Sequence, residues 1–312
     1  MERRAITAWL ALGSVCLLWG TTYLGIRIAL ESFPPFYLMA FRYTSSGGLM
    51  VLVLRLMRHH FPTGRELWLT CLYGITTIGI GTGLLSIAEQ WVPSGLAALF
   101  IATQPFWMVI MEWVLSRGVR SPHGPTLRGL LVGMMGVALL VLPSAIREGF
   151  SGGTFVGFLL LQAGCVGWVT GALKQKGLRT SVHPIVIGAV QQLATGLCFF
   201  ALAGFFEHPP RHVTVRAAGG IAYLTIFGAI VGYSAFVYAM DRLPATIVSI
   251  YTFVNPVVAV ILGWLFFREP FGPRELFAML LIFAGVALVK FSASRDSELL
   301  VDDREGVVAH NR

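Results

Sequence analysis

The amino-acid sequence predicts an all-α membrane protein with ten transmembrane helices, and three observations lead to this fold class. Hydrophobic residues make up 56% of the 312 residues and charged residues only 12%, about half the charged share of an average soluble domain. Apolar runs of about 20 residues, the length that a helix needs to cross a bilayer, recur along the chain. The 35 glycines are typical of packed transmembrane helices, because small residues let helix backbones approach each other.

The same composition excludes several other classes of protein. A disordered chain, a collagen and a disulfide-rich secreted scaffold do not fit it. The net charge of +8 comes from basic residues in short clusters between apolar runs, as in membrane loops rather than in a nucleic-acid-binding groove. The four cysteines lie inside apolar runs without the spacing of a zinc or redox site. We therefore expect no metal, no cofactor and no nucleic-acid partner.

Proline and glycine residues divide the apolar runs into spans, because these residues end one helix and begin the next. In chain order the breaks are Pro34-Pro35, Pro62-Thr63-Gly64, Pro93-Ser94-Gly95, Gly124-Pro125, Gly152-Gly153, Pro209-Pro210 and Gly272-Pro273. The predicted spans lie near 6–29, 36–57, 66–88, 94–115, 127–143, 153–174, 184–206, 217–240, 245–267 and 274–292. Beyond these, 294–312 is polar and mixed in charge, which predicts a disordered tail.

The distribution of basic residues predicts the orientation in the membrane. With a cytoplasmic N-terminus, 16 of the 23 Lys and Arg residues fall on the inner side and 6 on the outer side. Cytoplasmic loops of membrane proteins carry such an excess. We therefore expect a multi-pass protein of the cell membrane, a bacterial inner membrane in the first instance, with both termini and the tail in the cytoplasm.

The two halves of the sequence resemble each other at an offset of about 149 positions. The aligned residues include Trp19 with Trp168, Pro35 with Pro184, Gly79 with Gly228 and, at an offset of 151, Gln104-Pro105 with Asn255-Pro256. The predicted repeats are 1–147 and 148–293, each with five spans. Because five is odd, the second copy enters the membrane from the opposite side, as in secondary transporters with a site between the repeats. A duplicated scaffold without transport activity is the alternative.

Several short motifs within this duplicated unit resemble a known family. They are Trp19-Gly20-Thr21-Thr22-Tyr23, Val92-Pro93-Ser94-Gly95 and Val254-Asn255-Pro256-Val257-Val258-Ala259-Val260. In order and spacing they are similar to the EamA-type drug/metabolite transporters, and among these to the YedA-like bacterial members. The resemblance implies ten helices, a central cavity between the halves, and export of metabolites or drug-like compounds. It does not imply a particular substrate.

Two prolines within spans predict irregular backbone near the membrane midplane. Pro105 and Pro256 cannot donate to the carbonyls one turn before them, and Gln104 and Asn255 directly precede them. Both amides lie about 15 Å deep at 1.5 Å per residue. We predict that these residues bind substrate or take part in gating. The alternative is a packing kink whose amide bonds a neighbouring helix.

Two tryptophans are the next candidates for the substrate site. Trp19 and Trp168 lie deep in spans 1 and 6 rather than in the interfacial belt where tryptophan is enriched. Because a buried indole N–H needs a partner, polar groups or a cavity are expected beside them. Tyr23 follows Trp19 by about one turn and is included in the predicted substrate site. The alternative is ordinary helix packing.

Charged residues inside a membrane are costly and point to function. Arg42 lies within span 2 and Glu89 at the outer end of span 3, so the two are candidates to pair as an outer gate or a proton-coupling site. Their counterparts in the second half are Gln191 and Tyr238, on the inner side. A water-exposed interfacial position is the alternative for Glu89.

The function that the sequence predicts is secondary export of small organic molecules by alternating access, not enzymatic catalysis. No ATP-binding motif is present, so coupling to a gradient is expected. The expected partners are a small-molecule substrate and the lipid bilayer, and a homodimer is left open. A passive channel, a non-transporting scaffold and a lipid-modifying membrane enzyme are the alternative functions.

Overall fold

The structure, a computed structural model, describes residues 2–92, 94–117, 124–148, 152–178, 180–267, 272–289 and 291. Within these ranges it is helical, without a β-strand. We number its ten helices α1 to α10. They are α1 Glu2–Leu30, α2 Pro35–Leu56, α3 Gly64–Ala88, α4 Ser94–Ile101 continued by Gln104–Leu115, α5 Gly124–Glu148, α6 Gly152–Gly177, α7 Pro184–Phe206, α8 Val215–Arg242, α9 Ala245–Val248 continued by Tyr251–Phe267, and α10 273–289.

These helices confirm the predicted all-α class and agree with the ten predicted spans to within a few residues. Over the described ranges, seven helices are long and apolar enough to cross a membrane: Ile6–Leu30, Pro35–Leu56, Gly64–Ala88, Ala97–Leu115, Gly153–Gly177, Pro184–Phe206 and Val215–Arg242. The predicted tail 294–312 and Pro93 lie outside the described residues.

Helix α1 shows how a span divides its surface between lipid and protein. Leu10, Leu17 and Leu24 are exposed, whereas Val15 and Trp19 are buried. The three leucines are seven residues apart, about two helical turns, so they form one apolar stripe. A helix that is apolar on its exposed face as well as its buried face is suited to a lipid environment.

Helices α3 and α8 each contain a wider, π-helical stretch. The stretches are Ile75–Ile80 and Leu224–Tyr233, and their first residues are 149 positions apart. π-Helical turns are rare and occur frequently at functional sites. The paired position of the two stretches shows that the halves share an unusual backbone feature as well as short motifs.

Helices α4 and α9 are interrupted near their predicted prolines, but in different ways. In α4 the second segment begins at Gln104, with Pro105 in its first turn. In α9 Pro256 lies inside the continuous segment Tyr251–Phe267, and the interruption precedes Tyr251. The irregularity expected at Pro256 is therefore displaced towards the N-terminal end of its helix.

A side chain of α6 fixes the interruption in α4. The amide nitrogen of Gln162 donates to the carbonyl of Phe100 at 3.1 Å. Its amide oxygen accepts from the hydroxyl of Thr103 at 2.9 Å and the indole N–H of Trp107 at 2.8 Å. Irregular backbone at membrane depth requires such partners, because the bilayer supplies none.

Helices α2 and α7 pack closely through two glycines. A Cβ on Gly47 would collide with the backbone of Leu193, and a Cβ on Gly196 would collide with the backbone of Thr44. Gly47 and Gly196 are 149 positions apart, as are Thr44 and Leu193. Numbers rise along one helix as they fall along the other, so these counterpart helices run antiparallel.

Helices α5 and α10 repeat this arrangement at the other side of the bundle. A Cβ on Gly285 would meet the backbone of Gly133, and a Cβ on Gly136 would meet the backbone and side chain of Ile282. Small residues again allow two counterpart helices to approach backbone to backbone.

Candidate functional site

A cavity lies at the centre of the helix bundle, with walls from α1, α2, α3, α4, α6, α8 and α9. Its room for the centres of water-sized molecules is about 70 Å³, enough for several waters, since one needs about 10–15 Å³. The five residues predicted to bind substrate all line it: Trp19, Tyr23, Gln104, Trp168 and Asn255. The chain thus brings residues from both halves to one buried space.

The two tryptophans meet edge to face in the cavity wall, with ring centroids 5.3 Å apart and planes at 83°. The indole N–H of Trp19 donates to the carbonyl of Gly228 in the π-helical stretch of α8, at 3.0 Å. Trp168 is only 6% exposed, and its Nε1 has no hydrogen-bond partner among the described residues. The N–H of Trp168 is therefore an unpaired buried donor on a residue of the cavity wall, and such a donor is costly unless a ligand or water pairs with it.

The two amides next to the prolines are buried and connect helices. Gln104 Nε2 donates to the hydroxyl of Tyr251 at 2.8 Å. When the Asn255 amide is oriented so that both its polar atoms find suitable partners, its nitrogen donates to the carbonyls of Cys16 at 3.1 Å and Tyr251 at 2.9 Å. Both amides therefore bond neighbouring groups as well as lining the cavity, and their part in substrate binding or gating stays a prediction.

Pro105 and Pro256, the prolines beside these amides, are buried but do not line the cavity. Their contribution is to the backbone. Pro105 removes the N–H that would continue α4 across its interruption, which places the Gln104 amide at the start of a new helical segment.

Arg42 is the one charged residue among the described residues of the cavity wall. Its side chain is 4% exposed and its Nε has no hydrogen-bond partner among them. The guanidinium lies over the ring of Tyr43, with its carbon 4.8 Å from the ring centroid. It also lies against Gly228, where a Cβ would come within 2.7 Å of Nη2.

The expected pairing of Arg42 with Glu89 is wrong. No ion pair joins Arg42 to a carboxylate of the described chain. Arg42 faces α8 and the cavity, whereas Glu89 directly follows the last turn of α3 and is influenced electrostatically by Arg27. Both carboxylate oxygens of Glu89 are buried without a hydrogen-bond partner in the described ranges, and Glu89 does not line the cavity.

A second cavity lies towards the end of the bundle at which α6 connects to α7, with about 60 Å³ for the centres of water-sized molecules. Gln191, the counterpart of Arg42, lines it. Gln191 Nε2 donates to Gln175 Oε1 at 3.1 Å, and Gln191 Oε1 accepts from the hydroxyl of Tyr233 at 2.8 Å. Tyr238 lines neither cavity, and the guanidinium of Arg242 covers its ring at 3.7 Å.

Five aromatic rings lie between the two cavities, and we call them the aromatic wall. They are Trp19, Trp168, Tyr233, Phe236 and Tyr251, with neighbouring centroids 4.9 to 6.1 Å apart. Tyr233 borders both cavities, and Phe236 borders the second. Such edge-to-face and tilted pairs are the favoured aromatic arrangements. The wall closes the space between the cavities in this conformation.

Sequence reasoning identified the two tryptophans of the wall but missed its other three rings. Tyr251 precedes Asn255 by four residues, one helical turn, and residues at this spacing share a helix face. That spacing was an available signal. Tyr233 and Phe236 belong to a π-helical stretch and the turn after it, where ordinary helical periodicity does not predict which residues face inwards.

Comparisons with known proteins agree with this architecture. The model of the EamA-like transporter family matches the chain twice, over residues 6–142 and 155–291. The "uncharacterized inner membrane transporter YedA" of Escherichia coli (strain K12) is 29% identical over 290 residues, which cover 92% of each chain. The "uncharacterized transporter YvbV" of Bacillus subtilis (strain 168) is 27% identical over 284 residues, 90% of each chain.

A solved structure titled "Crystal structure of protein" shares the fold, with a TM-score of 0.74 and 20% identity over 92% of this chain and 98% of that one. The two family matches together cover most of the 312 residues. The resemblance inferred from the sequence motifs is confirmed: the chain is a membrane protein that belongs to the EamA-like transporter family.

Proposed function

We propose that this membrane transporter is a secondary exporter of small organic molecules that works by alternating access around the central cavity. The observation that carries the proposal is the cavity, which is lined by residues from both matches to the family model. Transporters of this type bind substrate near the midplane, between their repeats. Family membership supports transport over the alternatives of a scaffold and a lipid-modifying enzyme.

The proposed mechanism depends on an inverted repeat. Three observations support inversion: the counterpart helices α2 and α7 run antiparallel, the π-helical stretches occupy paired positions, and the family model matches each half. Two similar halves facing opposite ways can exchange conformations, which converts an outward-open cavity into an inward-open one.

Reporter fusions after Arg4 and at Ser294 test this topology. We expect both reporters to be active on the cytoplasmic side, because the basic residues favour that side and ten spans return the chain to it. Reporters on opposite sides of the membrane would mean an odd number of spans and would contradict the inverted repeat.

The aromatic wall is the proposed barrier on one side of the substrate. Ligand pockets usually enclose about 300–1,000 Å³, whereas the central cavity has about 70 Å³. The cavity is therefore too small for a metabolite in this conformation, and its walls must move apart before a metabolite can bind. Gln191 and Tyr238, beyond the wall, are proposed to take part in that movement.

Thiol labelling tests whether the cavity is a substrate pathway. Cysteines replace Trp19, Gln104, Trp168 and Asn255 one at a time, in a background without the four native cysteines. We expect each to react with a small water-soluble thiol reagent in membranes, and an exposed cysteine at His212 serves as the positive control. If all four are inert while the control labels fully, the cavity is dry packing and the proposed site is wrong.

Glu89 is the proposed proton-coupling residue, because its carboxylate is buried without a partner among the described residues. In proteoliposomes, Glu89→Gln should abolish accumulation driven by a pH gradient but retain exchange between equal pools, since exchange needs no net proton movement. Glu31→Gln is the matched control, because Glu31 is half exposed and makes only a surface ion pair with Arg216. Gradient-driven accumulation by Glu89→Gln at the parental level would show that Glu89 does not couple transport.

A further inference from the structure

We propose that the central cavity binds the carboxylate group of a small organic monoanion, held by the guanidinium of Arg42 and the indole N–H of Trp168. The inference deepens the proposed transport function, on which it rests, by naming the chemical class of the substrate. It follows from the charge in the cavity, from two unused donors, and from the apolar surface around them.

Burial of the positively charged Arg42 side chain costs free energy. An arginine inside a membrane protein is normally paired with a carboxylate or with backbone carbonyls, and an unpaired buried charge is strongly destabilising. Arg42 makes no ion pair or hydrogen bond with the described residues, and its contact with the Tyr43 ring offsets only part of the cost. No Asp or Glu occurs among the described residues of the cavity wall. The missing negative charge is therefore expected to come from a ligand.

The glycine beside Arg42 leaves room for the guanidinium at the cavity wall. The guanidinium lies against Gly228, where a side chain would collide with Nη2 and with Thr22. The guanidinium is a planar fork of donors that matches the two oxygens of a carboxylate. Trp168 lines the same cavity, is 6% exposed, and has an indole N–H without a partner in the described chain.

The counterparts of Arg42 and Trp168, each in the opposite half of the molecule, are both paired. Gln191, the counterpart of Arg42, is neutral and fully engaged with Gln175 and Tyr233. Trp19, the counterpart of Trp168, donates to the carbonyl of Gly228. Arg42 and Trp168 therefore differ from their counterparts in having an unpaired nitrogen, and both line one cavity.

The remaining surface indicates the rest of the substrate. Rings of Trp19 and Tyr251 and the aliphatic side chains of Ile101 and Leu161 line the cavity, so an aromatic or aliphatic body fits beside the carboxylate. One cation balances one negative charge. A dianionic phosphate would keep an uncompensated charge in a low-dielectric site, which favours a monoanion.

A binding experiment on the purified full-length protein in detergent tests the inference without requiring transport. The probes are benzoate, phenylacetate and indole-3-acetate, each compared with its neutral amide, together with phenyl phosphate and phenethylammonium. The midpoint of thermal unfolding is measured against probe concentration, since a ligand that binds the folded state raises it. We expect at least one carboxylate to bind about tenfold or more tightly than its amide, because charge-assisted hydrogen bonds are the stronger ones.

Variants localise the effect. Arg42→Gln should abolish the preference for the carboxylate over its amide. Trp168→Phe, which keeps a ring and removes the N–H, should weaken carboxylate binding several-fold. Arg211→Gln is the control, because Arg211 is exposed and lines neither cavity. If Arg42→Gln does not fold, carboxylate binding is measured in Arg42→Lys and Trp168→Phe instead. Both variants should retain binding at reduced affinity.

Three results would overturn the inference: no carboxylate binds better than its amide, phenyl phosphate or phenethylammonium binds better than every carboxylate, or the carboxylate preference survives in Arg42→Gln. Other results would reject the proposed transport function rather than the carboxylate site. Carboxylate binding that depends on Arg42, with no flux in proteoliposomes, would keep the site and reject transport. Flux of neutral or cationic compounds without carboxylate binding would keep transport and reject the anion.

Discussion

The two halves of the molecule share their backbone packing but not their buried chemistry. Gly47 and Gly196 make equivalent contacts between α2 and α7, and the π-helical stretches of α3 and α8 start at paired positions. At the paired positions 42 and 191, by contrast, one half has an unpaired arginine and the other an amide with two partners. Packing is therefore conserved between the halves where both must form the same contact, and side chains differ where each faces a separate cavity.

This difference is what a polar substrate requires. A symmetric scaffold lets the halves exchange conformations, but a symmetric pair of arginines would place two like charges in one bundle and would repel. Under the proposed function, confining the charge to one half would give the cavity a single end that binds an anion. Three sets of variants test how far the two halves are equivalent.

Replacing the glycines of the α2–α7 contact by a larger residue should lower stability the most. The loss should be equal in the two halves. Gly47→Val and Gly196→Val each place side-chain atoms against backbone, which cannot move aside like a flexible side chain. We expect each to cost about 3 kcal/mol or more of stability, at the upper end for overpacking. The measurement is the yield of monodisperse protein and its midpoint of thermal unfolding in detergent.

Gly48→Val and Gly204→Val are the controls for these variants, because both positions face open space. They should leave the unfolding midpoint close to that of the parent. Tolerance of valine at only one of the two contact positions would show that the α2–α7 contact is not equivalent in the two halves.

Replacing each tryptophan by phenylalanine should distinguish an N–H that stabilises the fold from one that is left to bind a ligand. Trp19→Phe removes the donor to the carbonyl of Gly228 and should lower the free energy of unfolding by about 1 kcal/mol. Trp168→Phe removes an N–H that has no partner in the described chain, so beyond the packing of the lost ring atoms, which both variants forfeit, it should cost no further stability. Chemical unfolding of the two variants in matched detergent checks the order, and a larger loss for Trp168→Phe would reverse the comparison.

The smallest effect on stability is expected for a substitution in the aromatic wall. Tyr233→Phe removes one hydroxyl that donates to Gln191, and interhelical hydrogen bonds in membranes contribute about 0.6 kcal/mol on average. Because Tyr233 borders both cavities, the variant should also speed thiol labelling at position 104 from the side of the second cavity. Tyr37→Phe is the control, since Tyr37 lines neither cavity. Unchanged labelling would indicate that Tyr233 is not part of the barrier.

The sequence allowed the helices to be predicted well, because apolar runs and the Pro/Gly breaks are local signals. It also led to Trp19, Trp168, Gln104 and Asn255, since their paired positions in the two halves could be read directly. The supposed Arg42–Glu89 pair was wrong because sharing a side of the membrane does not determine which face of a helix a residue occupies. The π-helical stretches were missed for a related reason: they shift side-chain directions without a compositional signal.

The contact between α2 and α7 also bears on how such a chain could have originated. A two-fold axis exchanges the contact of Gly47 with Leu193 and the contact of Gly196 with Thr44. In such an arrangement one surface meets a copy of itself. Two separate five-helix chains of identical sequence, inserted in opposite directions, could form this contact before any gene fusion joined them. Fusion would then have released each copy from serving in both orientations, and a single substitution such as an arginine at position 42 could accumulate in one half alone.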